Sequence, residues 1–175
     1  IASCLVGSEM CIRDSNGISC DGPSETFTIS VNPTAQVNAI NDQDLCEGEV
    51  TAPIEFTTTN TDGTTTYEWT NTNPLIGLAD SGIGNIPSFE VLNDAANSQN
   101  AIITVTPTYT NNGVECTGPS ELFILTVNPG AQVNPVDNQI LCNDELTDPV
   151  QFTTLNTDGI TEYNLSLIHI SEPTR

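Results

Sequence analysis

Cationic side chains are almost missing from this chain. In 175 residues there are two arginines, no lysine and one histidine against 23 carboxylates, and Arg13, His169 and Arg175 all lie near an end. From Asn16 to Asn164 no basic residue occurs, and once Glu9, Asp14 and Glu172 are set aside with the ends, 23 − 3 = 20 carboxylates remain unpaired. Nucleic acid binding draws its affinity from Lys and Arg neutralising phosphates, so it is excluded. Attraction to anionic membrane surfaces fails on the same ground, and no apolar run is long enough to span a bilayer. Nucleophile and base pairs built on histidine are out of reach, as are lysine-dependent isopeptide crosslinks. Pairs of carboxylates do serve glycosidases, but here they read as a solvated acidic surface. Such a surface attracts cations, and its self-repulsion keeps the chain soluble and extended.

What is abundant is Thr, Asn and repetition. "NGISCDGPSETFTISVNPTAQVN" near the start returns as "NGVECTGPSELFILTVNPGAQVN", with Cys116 answering to Cys20 at an offset of 116 − 20 = 96. Held without a gap, that offset carries Cys46 onto Cys142, Phe56 onto Phe152, the "NTDG" at Asn60 onto that at Asn156, and Tyr67 onto Tyr163. Taking "VNP" as the close of each copy gives one complete repeat, residues 35–129, within the usual size of a domain. Residues 16–34 are the tail of a preceding repeat and 130–164 the head of a following one, as in a slice of a longer tandem array.

The match is lost outside residues 16–164. Met10 to Asp14 can be encoded as ATGTGTATAAGAGAC, whose reverse complement, read one base in, encodes Ser166, Leu167, Ile168 and His169. The ends, residues 1–15 and 165–175, therefore resemble the translated adapter that a transposase leaves on sequencing libraries. As non-native ends they are excluded from the reading of the fold. A signal peptide fits less well, because "IASCLVGSEMC" has no cationic start, sustained apolar stretch or small-residue cleavage site.

Within the repeat, apolar residues alternate. Phe123, Leu125 and Val127 face one way with Ile124 and Thr126 the other; Ile103 and Val105 alternate with Thr104 and Thr106, Ile54 and Phe56 with Glu55 and Thr57, and Tyr67 and Trp69 flank Glu68. This is the period of half-buried strands. Thr and Val favour strands, and "NTDG", "ADSGIGN" and "TNNG" punctuate them as turns. The expected fold is all-β, an immunoglobulin-like β-sandwich of roughly seven strands, repeated in tandem. Trp69 belongs between the sheets rather than on a sugar-stacking surface. The "SGIGN" from Ser81 to Asn85 lacks the lysine and following helix of a phosphate loop, and is expected to be a glycine-rich connection.

Each repeat carries two cysteines. In an immunoglobulin-like sandwich the N-terminus and the hairpin joining the last two strands share one end, which predicts a disulfide between Cys46 and Cys116. It would close a loop of 116 − 46 = 70 residues and contribute roughly 4 kcal/mol. Cys20 and Cys142 would find partners outside the chain. Two sulfurs without histidine do not complete a zinc site, and regular cysteine pairs suit an oxidising compartment. The oxygen-rich "NDQDLCEGE" offers Asp42, Asp44, Glu47 and Glu49 as candidate calcium ligands. The equivalent stretch reads "DNQILCNDE", with Ile140 in place of Asp44, which counts against a site repeated along the array.

"TTYEWTNTNPLIGLADSGIGNIPSFEVLN", followed by "AIITVTPTY" and "CTGPSELFILTVNP" and preceded by "LCEGE", resembles the PKD-like repeat of large bacterial cell-surface proteins and gliding-motility adhesins. The resemblance implies export, commonly by the type IX pathway, display on the cell surface, and no catalytic residues or cofactor. The expectation is a non-catalytic spacer whose partners are the neighbouring repeats of the same chain. The alternative is a calcium-dependent or carbohydrate-binding module, with a surface polysaccharide or other cell-surface ligand as partner.

Overall fold

The computed structural model describes residues 26–166, together with the backbone of three two-residue strands nearer the N-terminus. These are β1 (Cys4–Leu5), β2 (Ile12–Arg13) and β3 (Ser19–Cys20). β1 pairs with β4 (Thr28–Ile29), and β2 with β3, as separate two-stranded ladders. Most of the adapter-like ends, and Cys11 with them, lie outside the described residues, as do the side chains of Cys4 and Cys20.

The remaining strands form one six-stranded sheet: β5 (Gln43–Cys46), β6 (Thr64–Asn71), β7 (Ser81–Ile83), β8 (Gln99–Asn111), β9 (Val114–Thr117) and β10 (Glu121–Asn128). Its order is β5-β10-β8-β6-β7, with β9 beside the far end of β8. All pairs are antiparallel except β5 with β10, so the sheet is mixed. Among the described residues there is no α-helix, only a 3-10 turn at Pro74–Ile76. The chain is all-β.

The alternation read from the sequence places the core. Phe123, Leu125 and Val127 are fully buried while Leu122 is exposed; Ala101, Ile103 and Val105 are fully buried while Ile102 is exposed. The register aligns Asn71 with Ile103 and Ile103 with Phe123, so the buried residues form rungs across one face. Two irregular segments cover that face. Val50 bridges Glu90 and Ile54 bridges Ile86, and Ile54, Phe56, Ile86 and Val91 join Trp69 and the sheet residues in a single cluster.

β8 runs 13 residues with a proline in its centre. Pro107 is tolerated because its carbonyl accepts the Gly118 N–H, so its missing donor faces the interruption between β9 and β10, where no ladder bond is lost. At the end of β8, Asn112 and Gly113 both have positive φ (50° and 76°), the two-residue turn that matches the twist of a tight hairpin.

The 96-residue period reappears as geometry. The Cys46 N–H donates to Glu49 over 2.8 Å, and the Cys142 N–H to Glu145 over 2.8 Å. Asn38 and Asn134 each bond a threonine, Thr57 and Thr153, through both backbone and side chain. Phe56 meets Tyr67 with ring centroids 5.5 Å apart, and Phe152 meets Tyr163 at 5.7 Å. Burial, in contrast, is not repeated. Phe27, Ile29 and Val31 are exposed although their equivalents Phe123, Leu125 and Val127 are fully buried.

Candidate functional site

The four acidic candidates do not converge on one point. Asp42 accepts the Ile124 N–H over 2.7 Å, Glu47 the Gly130 N–H over 3.1 Å, and Glu49 the Cys46 N–H over 2.8 Å. Asp44 lies exposed on β5 opposite Thr126. Among the described residues no three His, Cys, Asp or Glu side chains gather as a metal would require. Each bonded carboxylate instead accepts a separate backbone donor: one on the edge strand β5, one on β10 and one just past the end of β10. Of the four, only Glu49 has a carboxylate equivalent one repeat on, Glu145, and that residue makes the same bond.

The disulfide expected between Cys46 and Cys116 is not formed; Cys46, Cys116 and Cys142 are all free thiols. The cause is the parallel pairing of β5 with β10. It sets Cys46 beside Asn128, at the end of the sheet where Gln99 meets Val127. Cys116 pairs with Tyr109 at the other end of β8. From Gln99 to Tyr109 the strand advances ten residues, about 33 Å, whereas a disulfide needs Cα atoms within about 7 Å.

Trp69 is buried in the core and offers no face to a sugar. Its indole lies over Gly82, where an added Cβ would overlap Cζ2, and its Nε1 has no hydrogen-bond partner. The "SGIG" segment is thus not merely a connection. Ser81–Ile83 is the edge strand β7, paired with β6, and glycine is required because the indole occupies the place of its side chain. Next to the tryptophan, burial pushes the Tyr67 phenol above its usual pKa, and a hydrogen bond with Thr58 partly opposes the shift.

The most built features lie at the two ends of the repeat, and their residues were read from the sequence only as turns. At the N-terminal end, a cleft of about 580 Å³ is lined by Asn32, Pro33, Asn60, Thr61, Asp62 and Asn111, among others. Asn32 and Asn111 exchange bonds across it: Asn32 Nδ2 donates to the Asn111 carbonyl and Asn111 Nδ2 to Asn32 Oδ1, each over 3.2 Å. Tyr109, almost wholly buried, donates to the Thr61 carbonyl over 2.6 Å and packs on Gly63, where a Cβ would come within 2.6 Å of its ring. At the C-terminal end, Asn128, Pro129, Asn156 and Asp158, the residues 96 further on, line a smaller cleft of about 260 Å³ that also contains Ser98. The sequence signal for these clefts was the second "NTDG", at Asn156, 96 residues after the one at Asn60.

No protein-family model matches this chain, and searches of curated proteins and of solved structures likewise found no match.

Proposed function

We propose that the chain is part of a tandem array of immunoglobulin-like β-sandwich repeats, PKD-like in type, that serves as a non-catalytic spacer in a secreted bacterial cell-surface adhesin. The observation that carries this reading is the return of the same hydrogen bonds at a 96-residue interval. Repeats that touch only their neighbours and present the same surface many times suit a stalk better than a single concentrated site. The sandwich reading is supported by the bridged segments around Ile54 and Ile86, which cover the buried face of the sheet as a second layer. The uniform negative charge supports a stalk that stays soluble and resists collapse.

The test is a pair of measurements on the full chain. A thermal melt in calcium and in chelator is expected to give the same midpoint, and a glycan array is expected to be blank. A midpoint raised by calcium, or a clean glycan hit, would replace the spacer with a ligand-binding module.

A further inference from the structure

We propose that the Asn-Thr-Asp-Gly turn is the coupling by which each repeat seats on the one before it, its threonine and aspartate gripping the backbone of the loop that follows Asn93. This rests on the tandem-repeat reading and adds the contact that joins the repeats. In the following copy, the Thr157 N–H donates to the Ala96 carbonyl over 2.8 Å and Thr157 Oγ1 to the same oxygen over 3.2 Å. The Ser98 N–H donates to Asp158 Oδ2 over 2.9 Å. A carboxylate accepting a backbone N–H is a strong, directional bond, and with the two threonine bonds it fixes the loop at two points.

The receiving loop is shaped in advance from inside the repeat. Asn93, only 4 % exposed, donates through Nδ2 to the carbonyls of Val127 (2.7 Å) and Asn97 (3.0 Å), and its Oδ1 accepts the Ala95 N–H over 3.0 Å. Ser98 Oγ donates to Asn128 Oδ1 over 2.8 Å, which ties the loop to the last strand residue of its own copy, beside the junction. Gly130 adds a third tie, its N–H donating to Glu47.

Translated back by one repeat, the same turn is Asn60–Gly63, whose first three residues line the larger N-terminal cleft. There the aspartate accepts a bond from its own neighbour, Thr61 Oγ1, over 3.2 Å. The two copies of the turn also differ in backbone. In the seated copy the left-handed residue is Gly159 (φ 76°), whereas in the open copy it is Asp62 (φ 66°), a conformation glycine adopts more readily than aspartate. The open cleft therefore has a defined occupant, the loop of a preceding copy with the chemistry of Asp94–Ser98: two backbone carbonyl and N–H groups presented at the spacing of Ala96 and Ser98.

Residue-resolved amide hydrogen exchange on the full chain tests this. The Ser98 and Thr157 amides should exchange together, at least roughly tenfold below their intrinsic rates. Asp158→Ala should release Ser98 by roughly tenfold and leave the β8 and β10 amides unchanged. Asp62→Ala, the same change in the open turn, should leave Ser98 and Thr157 as they were. Ser98 and Thr157 exchanging at intrinsic rates in the unaltered chain, or the two variants acting alike, would overturn the coupling. Loss of protection in β8 and β10 as well would remove the repeat reading and the coupling with it. As a second arm, a peptide of residues 93–100 added to the full chain should shift the amide resonances of Asn60, Thr61, Asp62 and Asn111. Silence at those residues up to millimolar peptide overturns the assignment of the open cleft.

Discussion

Replacing Asn71 with alanine should be among the most damaging single changes in the repeat, although the side chain is small and polar. Asn71 ends β6 and is buried. Its Nδ2 faces the carbonyls of Leu78 (3.0 Å), Ala79 (3.2 Å) and Asn73 (3.3 Å), and its Oδ1 accepts the Asn73 N–H over 2.9 Å. One amide thus holds both limbs of the loop from Thr72 to Asp80. Two protons shared over three carbonyls count as two bonds, and the acceptor makes a third. At about 1 kcal/mol each, Asn71→Ala should cost about 3 kcal/mol, or roughly 12–24 °C of Tm for a domain of this size. Asn71→Asp should cost more, because a carboxylate has no proton to offer three carbonyl oxygens. Urea unfolding followed by fluorescence is the assay. The chain has a single tryptophan, Trp69, buried in the complete repeat, so the signal reports that repeat alone. Asn100→Ala, on an exposed side chain of β8, should stay within about 0.5 kcal/mol. An Asn71→Ala cost under about 1 kcal/mol, or an aspartate tolerated as well as alanine, would show that the Asn71 amide does not hold the loop.

Gly82→Ala should cost about 1–3 kcal/mol, since the new methyl must displace the Trp69 indole, and a shift of the tryptophan emission in the folded protein checks it. Peptide mapping of oxidised native protein should find no Cys46–Cys116 crosslink, given their placement at opposite ends of β8; finding one as the main species would show that β5 does not run parallel to β10. For Tyr67 the folded pKa lies above the ordinary 10.0, so the fold favours the neutral phenol. That contribution is intact below pH 10 and is lost as pH rises through the raised value. Tyr67→Phe should flatten this alkaline fall in a melt series. With a formal charge of −21, Tm should also rise between about 10 mM and about 150 mM salt as screening shortens the reach of the repulsion; a flat salt series would show that the carboxylates do not oppose folding.

Much was legible from the order of residues: the alternation that separates Phe123 from Ile124 and Ile103 from Thr104, the turn at Asn112–Gly113, the 96-residue period and the lack of a basic residue between Asn16 and Asn164. These are local or arithmetic properties, legible wherever a side chain's role depends on its neighbours along the chain. The rest depends on contacts between distant segments. Ile29 on β4 and Leu125 on β10 occupy equivalent positions in the repeat, yet one is exposed and the other buried, because burial depends on the strands that pack against them. Cys46 and Cys116 were paired on the expectation of a shared end, and one parallel strand pairing put the length of β8 between them. "SGIG" was read as a connection, but its backbone pairs with β6 as an edge strand, and a tryptophan 13 residues earlier rests on its glycine. The acids of "NDQDLCEGE" were grouped by spacing, but Asp42 precedes β5, Asp44 lies within it and Glu47 and Glu49 follow it, so three of them met three different backbone donors and Asp44 met none of these. Periodicity fixes which residues share a face; register and strand direction, set by contacts between distant segments, fix which residues share a place.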